Sequence, residues 1–279
     1  MNEGPDIHIV PGRRRHRIPP LRRGVYVLPN LFTSAGLFAG FYSIIATLGH
    51  QYRIAAIMIL VAQLCDSLDG RIARLTRSSS GFGVQYDSLA DLVAFGVAPG
   101  ILVYQWALRP WGRWGWLAAS LYVTCGALRL ARFNVQIGTV EKRHFVGLPI
   151  PAAADVIAAT VLLFYRFGFE GDTTKHISML LVIYAVAALM VSEIRYFSFK
   201  EIRVHQRHPF QTLLGCILVL MLTIGDPMPM LFLGSMTYAL SGPVGLALRT
   251  LDHRRRRGAS PPPPASVHPV VLDKPAPRR

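Results

Sequence analysis

The sequence predicts an all-α protein, a polytopic membrane helical bundle of about eight transmembrane helices with both termini in the cytosol. Three observations predict it. Of 279 residues, 52% are hydrophobic and only 16% are charged, against about 25% charged in soluble domains. Apolar runs of about 20 residues, long enough to cross the hydrocarbon core, recur from Val25 onward. When eight helices are counted, 22 Lys and Arg fall on one side of the membrane and five on the other. The rich side is the cytosolic one by the positive-inside rule.

Residues 1–24 are polar and carry Arg13, Arg14, Arg15, Arg17, Arg22 and Arg23 without apolar periodicity. They read as a basic cytosolic arm and not as a signal peptide. With no interleaved aromatics and no fold to present them, these arginines point to an anionic membrane surface rather than to nucleic acid. Helix 1 is expected at about 25–48, its start interrupted by Pro29 and Asn30, with Thr33 and Ser34 following. Helix 2 is expected at about 53–75. A short polar loop then leads to helix 3 at about 84–107. Trp106, Trp111, Trp114 and Trp116 read as an aromatic belt before helix 4 at about 114–133. A polar loop precedes helix 5 at about 151–168, where Pro151 suits a helix start. Helices 6, 7 and 8 are expected at about 176–197, 210–225 and 228–249. Residues 253–279 hold four consecutive arginines and four consecutive prolines and are expected to be disordered. The chain therefore divides into a basic arm (1–24), a membrane core (25–200), two additional helices (201–252) and a tail (253–279). Cys65, Cys125 and Cys216 lie within helices at no metal-ligand spacing and read as small hydrophobes.

Four aspartates break the apolar pattern. Asp66 and Asp69 are three residues apart and share a helical face. Asp87 and Asp91, four apart, share a face on the next helix. A charge deep in hydrocarbon costs at least about 2.5–3.5 kcal/mol, so something must compensate four of them. Arg71, Arg74 and Arg77 on an exposed loop are too few for a purely structural pairing. A divalent cation is the natural compensator, and oxygen ligands without His or Cys point to Mg²⁺, Mn²⁺ or Ca²⁺. One reading is a phosphoryl-transfer site in which metals clamp a diphosphate. Gly70 then leaves room for a substrate, Arg74 offers bidentate hydrogen bonds to phosphate, and Gly83 opens a helix N-terminus suited to an anion. A proton-coupled transporter is the reading from another class. The chain shows no internal repeat, and its acids cluster at one membrane face instead of the midplane. A membrane prenyltransferase is disfavoured because no paired Asp recurs after Asp91; Asp155, Asp172 and Asp226 are single.

Asp66, Asp69, Gly70, Ala73, Arg74, Gly83, Asp87 and Asp91 spell D-x-x-D-G-x-x-A-R, an eight-residue gap, then G-x-x-x-D-x-x-x-D. At these residues the chain resembles the CDP-alcohol phosphatidyltransferase family. The resemblance implies a reaction in which an alcohol displaces CMP from a CDP-linked donor. It implies that Asp66, Asp69 and Asp87 ligate Mg²⁺ or Mn²⁺, and that Asp91 ligates metal and takes the proton of the attacking hydroxyl. Gly70, Arg74 and the loop hydroxyl of Ser80 are implied contacts of CDP-diacylglycerol, with Ala73 and Gly83 in the same region. Asn30, in the stretch that ends at Thr33, resembles the family's nucleotide contact on helix 1. A six-helix core, a homodimer and a site open to the cytosol, in a bacterial inner membrane, follow from the same resemblance. Two further stretches, Arg129 to Asn134 and residues 145–154, resemble the membrane-integral bacterial members that accept L-serine. Arg129, Arg132 and Asn134 then become the expected acceptor-binding residues, able to hold the serine carboxylate or the donor phosphates. Glycerol phosphate, inositol phosphate and choline are the alternative acceptors.

Overall fold

The computed structural model describes residues 27–76, 81–136, 145–169, 177–196 and 209–258. Among them the chain forms eight helical stretches: α1 (Val27–Leu48), α2 (Tyr52–Thr76), α3 (Gly81–Trp111), α4 (Arg113–Gln136), α5 (Ile150–Arg166), α6 (Ile177–Val191), α7 (Pro209–Gly225) and α8 (Pro227–Gly258). One two-residue antiparallel ladder joins β1 (Phe145–Val146) to β2 (Arg195–Tyr196). The protein is thus all-helical in character, as its composition predicts. Leu28–Leu48, Gly81–Trp111 and Pro227–Leu248 are long and apolar enough to cross a membrane. At 25 residues α2 is long enough as well, but Arg53, Asp66, Asp69, Arg71 and Arg74 dilute its apolar character.

Several element boundaries differ from the sequence expectation. Helix 3 begins at Gly81 and runs to Trp111, because two π-helical turns, Leu92–Val97 and Tyr104–Leu108, absorb irregularity without ending it. Helix 6 stops at Val191 rather than near 197, and Arg195–Tyr196 becomes the second strand of the ladder. Helix 8 continues through the arginine run to Gly258, so residues 253–258 are helical and not the start of a disordered tail. The basic arm 1–24 and residues 259–279 lie outside the described residues. The tryptophans do not form one belt. Trp114 and Trp116 are exposed, whereas Trp106 is buried and packs edge-on against Phe164 with ring centroids 5.5 Å apart.

Small residues set the helix spacing around the site, as close backbone approach in membranes requires. A Cβ on Gly40 of α1 would lie 2.6 Å from the Ala94 Cα of α3. A Cβ on Gly126 of α4 would lie 2.7 Å from Ile150 Cδ1 at the start of α5. The most extensive packing is α1 along α2, where the buried Ser43 hydroxyl also donates to the Ala55 carbonyl at 2.9 Å. Tyr122 of α4, fully buried, donates its hydroxyl to the Phe95 carbonyl at 2.8 Å, within the first π turn. The turn into α5 is fixed by Gly147 at φ +80°, a left-handed conformation suited to glycine. A side chain there would also collide with the Met190 carbonyl. Gly147 N–H donates to Ile194 O (2.9 Å) and Leu148 N–H to Leu189 O (3.0 Å), which docks this turn onto the end of α6.

Candidate active site

The aspartates come together where α2 ends and α3 begins. One carboxylate oxygen from each of Asp66, Asp69 and Asp87 lies within 4.8 Å of the others. The three- and four-residue spacings place each pair on one face, and in the folded chain the two faces meet. Asp91 lines the same cavity without joining that trio, beside Thr33 and Gly36 of α1. Two ionised carboxylates 4.8 Å apart repel by about 3.5 kcal/mol at an effective dielectric of ~20. Three such pairs in a half-buried site demand a cation or protons. Arg132 pairs with Glu193 and Arg166 with Asp226, so neither of these ion pairs uses the cluster. An all-oxygen, negatively charged donor set of this kind fits a hard divalent cation.

Helix α1 supplies the supports. Asp69 is 5% exposed and accepts a hydrogen bond from Thr33 Oγ1 at 2.8 Å. Ser34 Oγ and Tyr86 Oη share a hydrogen bond of 2.8 Å, which ties α1 to α3 one residue before Asp87. Ser34 also donates to the Asn30 carbonyl at 2.8 Å. Thr33, expected from the sequence near the CDP portion, therefore touches a metal-site carboxylate directly. A Cβ on Gly70 would meet only Arg74 Nη1, at 3.7 Å, so this position is open and flanked by a guanidinium. Ala73 and Gly83 are half-buried at the last turn of α2 and the first of α3. Ser80 lies outside the described residues.

The expected acceptor residues divide. Arg129 of α4 is half-buried, and its positive charge acts on Asp91. Its Nε is buried without a hydrogen-bond partner. Asn134 exchanges hydrogen bonds of 3.1 and 3.2 Å with Ser88, the residue after Asp87. Arg132 is different: it is exposed and pairs with Glu193 at 3.4 Å, which directs it to the end of α6 rather than to the aspartates. Sequence reasoning did not single out Gln63, which lies one turn before Asp66 and donates to Asp155 Oδ2 of α5 at 2.7 Å. The only signal was a polar residue inside each of two apolar runs, which calls for a partner without identifying it.

Helices α1 to α3 thus present a cation-competent carboxylate cluster within an all-α membrane protein, and the chain belongs to the CDP-alcohol phosphatidyltransferase family, whose model matches residues 26–191. That span runs from α1 to the end of α6 and leaves α7 and α8 outside. Among curated proteins, the chain is 43% identical over 180 residues to the CDP-diacylglycerol–serine O-phosphatidyltransferase of Helicobacter pylori (strain ATCC 700392 / 26695), covering 64% of this chain and 75% of that protein. It is 40% identical over 171 residues to the archaetidylserine synthase of Methanothermobacter thermautotrophicus, covering 61% and 69%. It is 38% identical over 183 residues to the CDP-diacylglycerol–serine O-phosphatidyltransferase of Mycobacterium tuberculosis (strain ATCC 25618 / H37Rv), covering 63% of each.

Proposed function

We propose that the chain is a CDP-diacylglycerol–serine O-phosphatidyltransferase, which moves the phosphatidyl group of CDP-diacylglycerol to the hydroxyl of L-serine and releases CMP. One observation carries the reading: three carboxylate oxygens within 4.8 Å of one another, from Asp66, Asp69 and Asp87, in a member of this family. Relatives named for serine as acceptor, on both diacylglycerol and archaeal lipids, support the choice of alcohol.

Asp66, Asp69 and Asp87, with Asp91, would hold Mg²⁺ or Mn²⁺, which when bound neutralises diphosphate charge and acidifies the attacking alcohol. Thr33 fixes the Asp69 carboxylate through its 2.8 Å hydrogen bond. Gly70 admits the donor diphosphate, and Arg74 beside it receives the CMP phosphate as it leaves. Asn30, Ala73 and Gly83 would meet the CDP portion, with Ser80 a contact implied by the family resemblance alone. Asp91 accepts the proton of the serine hydroxyl. The serine oxygen bonds to the phosphorus bearing diacylglycerol, and the bond from that phosphorus to the CMP oxygen breaks. Arg129 and Asn134 hold the acceptor; Arg132, expected there too, also pairs with the exposed Glu193 at 3.4 Å.

Eight spanning helices with both termini in the cytosol, in a bacterial inner membrane, fit the 22-to-five asymmetry of basic residues. That orientation puts the aspartates near the cytosolic face, where serine arrives from water and the lipid donor sideways from the bilayer. The basic arm 1–24 and the arginines that close α8 would meet anionic headgroups. The functional unit is a homodimer of a core at 25–200 carrying two added helices. The test is to give purified protein labelled CDP-diacylglycerol with serine, glycerol phosphate, inositol phosphate or choline and to identify the lipid formed. Phosphatidylserine with stoichiometric CMP is the expected product. Another lipid reassigns the acceptor, and no CMP with any alcohol returns the transporter reading.

A further inference from the structure

Helix α5 gives no carboxylate to the cluster, yet it carries one acid. Asp155 is the only acidic residue of α5 and stands in the otherwise apolar run from Ile150 to Ala159. Helix α2 packs along α5, and there Gln63 Nε2 donates to Asp155 Oδ2 at 2.7 Å. Asp155 Oδ1 is buried without a hydrogen-bond partner among the described residues. An acid in an apolar helix of a membrane protein costs more than one hydrogen bond returns there, so helix packing alone does not account for the pair. Its place accounts for it. Gln63 is three residues before Asp66, about 4.5 Å along the helix axis, and shares its face. Helix α1 touches the same turn of α2. A Cβ on Gly36 would lie 3.5 Å from the Ala62 carbonyl oxygen and 3.5 Å from Cys65 Cβ, so the α1 backbone passes close beside these residues. Gly36, Ala62 and Asp66 all line the cavity. The turn of α2 that leads into Asp66 is thus held by α1 through contact and by α5 through a short hydrogen bond to a carboxylate, the stronger kind.

Resting on the metal-site reading above, we propose that Gln63 and Asp155 are positioning residues for Asp66. Their hydrogen bond fixes the turn before Asp66 against α5, and so sets where the Asp66 carboxylate meets those of Asp69 and Asp87. Asp69 takes its position from Thr33 of α1, and Asp66 takes its position from α5, a helix that supplies no ligand.

The test is the Mn²⁺ dissociation constant of the purified full chain, read by electron paramagnetic resonance without substrates. Gln63→Met keeps the length of the side chain and removes the amide. Its dissociation constant should rise about tenfold, the low end of what losing the support behind a metal ligand costs. Asp155→Asn keeps the shape and an uncharged acceptor, so its rise should be smaller, about threefold. The double variant should bind no more weakly than Gln63→Met alone, because both changes act on one shared bond. Ser43→Ala is the structural control. It breaks the buried 2.9 Å hydrogen bond to the Ala55 carbonyl, about three turns of α2 from Asp66, and should lower Tm while Mn²⁺ binding stays within about twofold. Wild-type binding by Gln63→Met, a double variant that shows the product of the two single losses, or an equal loss in Ser43→Ala overturns the proposal. If Gln63→Met does not fold, Gln63→Asn decides: it stays polar but is one methylene too short to reach Asp155, so a tenfold loss supports the proposal and unchanged binding overturns it. A wild-type protein that binds no Mn²⁺ overturns the metal reading and this proposal with it, whereas normal wild-type binding with unaffected variants overturns this proposal alone.

Discussion

Replacing Thr33 by valine removes one hydroxyl and almost nothing else. Thr33 is 6% exposed and Asp69 5% exposed, so water does not readily replace the lost donor. The Thr33 hydroxyl lies 2.8 Å from Asp69 Oδ2 and 3.2 Å from the Pro29 carbonyl. It has one proton, and the shorter contact to a carboxylate takes it. A hydrogen bond to a charged group contributes about 1.5–3 kcal/mol, which corresponds to about 10- to 150-fold in an equilibrium constant. Loss of a group that orients a metal-binding side chain weakens metal affinity by about 10- to 100-fold, so two independent estimates agree. The assay is CMP release against Mn²⁺ concentration at saturating substrates. Thr33→Val should raise the half-saturating Mn²⁺ concentration at least tenfold, and Thr33→Ser, which keeps the hydroxyl, should stay within about threefold of wild type. A Thr33→Val enzyme with wild-type Mn²⁺ dependence would refute the reasoning, because Asp69 would then need no fixing.

Three other outcomes are expected. Asp91→Asn keeps the shape of the cavity wall and removes the proton acceptor, so the variant should fold with an unchanged Tm and release CMP at less than about 1% of the wild-type rate; normal turnover would eliminate Asp91 as the base. Chelation of divalent cations should stop transfer, and Mn²⁺ or Mg²⁺ should restore it, whereas indifference to the chelator would remove the metal from the chemistry. Gly40→Ala would place a Cβ 2.6 Å from the Ala94 Cα, where carbon atoms need about 3.5–4.0 Å; α1 and α3 must part by about 1 Å, at a cost of about 1–3 kcal/mol, seen as a lower Tm, and an unchanged Tm would show that these helices are not in tight contact.

Much of this was legible in the sequence, and the reason is periodicity. Asp66 with Asp69, and Asp87 with Asp91, share faces because of helical spacing alone, so the cluster could be anticipated from local pattern. The helices themselves follow from apolar runs broken by Gly, Pro and charge. What was not legible depends on partners far apart along the chain. Thr33 with Asp69, Ser34 with Tyr86 and Gln63 with Asp155 are separated by 36, 52 and 92 residues, and no local signal pairs them. The π turns after Asp91 left the apolar pattern intact and so left no mark in it. Helix 6 was drawn too long because the stretch after Val191 still looks half-apolar, while Gly147 takes the Ile194 carbonyl and the β1–β2 ladder takes Arg195 and Tyr196. Helix 8 was drawn too short because four arginines read as a break, although arginine is a good helix former. Arg132 was placed at the site by the family resemblance of the stretch Arg129 to Asn134, and its exposed pairing with Glu193, 61 residues on, left no local mark.

Binding of Mn²⁺ to the purified protein, read by electron paramagnetic resonance, bears most directly on the cation cluster. Wild type and Asp226→Asn, whose acid pairs with Arg166 away from the cluster, should bind the ion alike. Asp69→Asn and Asp87→Asn should each weaken binding by at least about tenfold. Equal Mn²⁺ binding by all four proteins would contradict a metal held by these carboxylates.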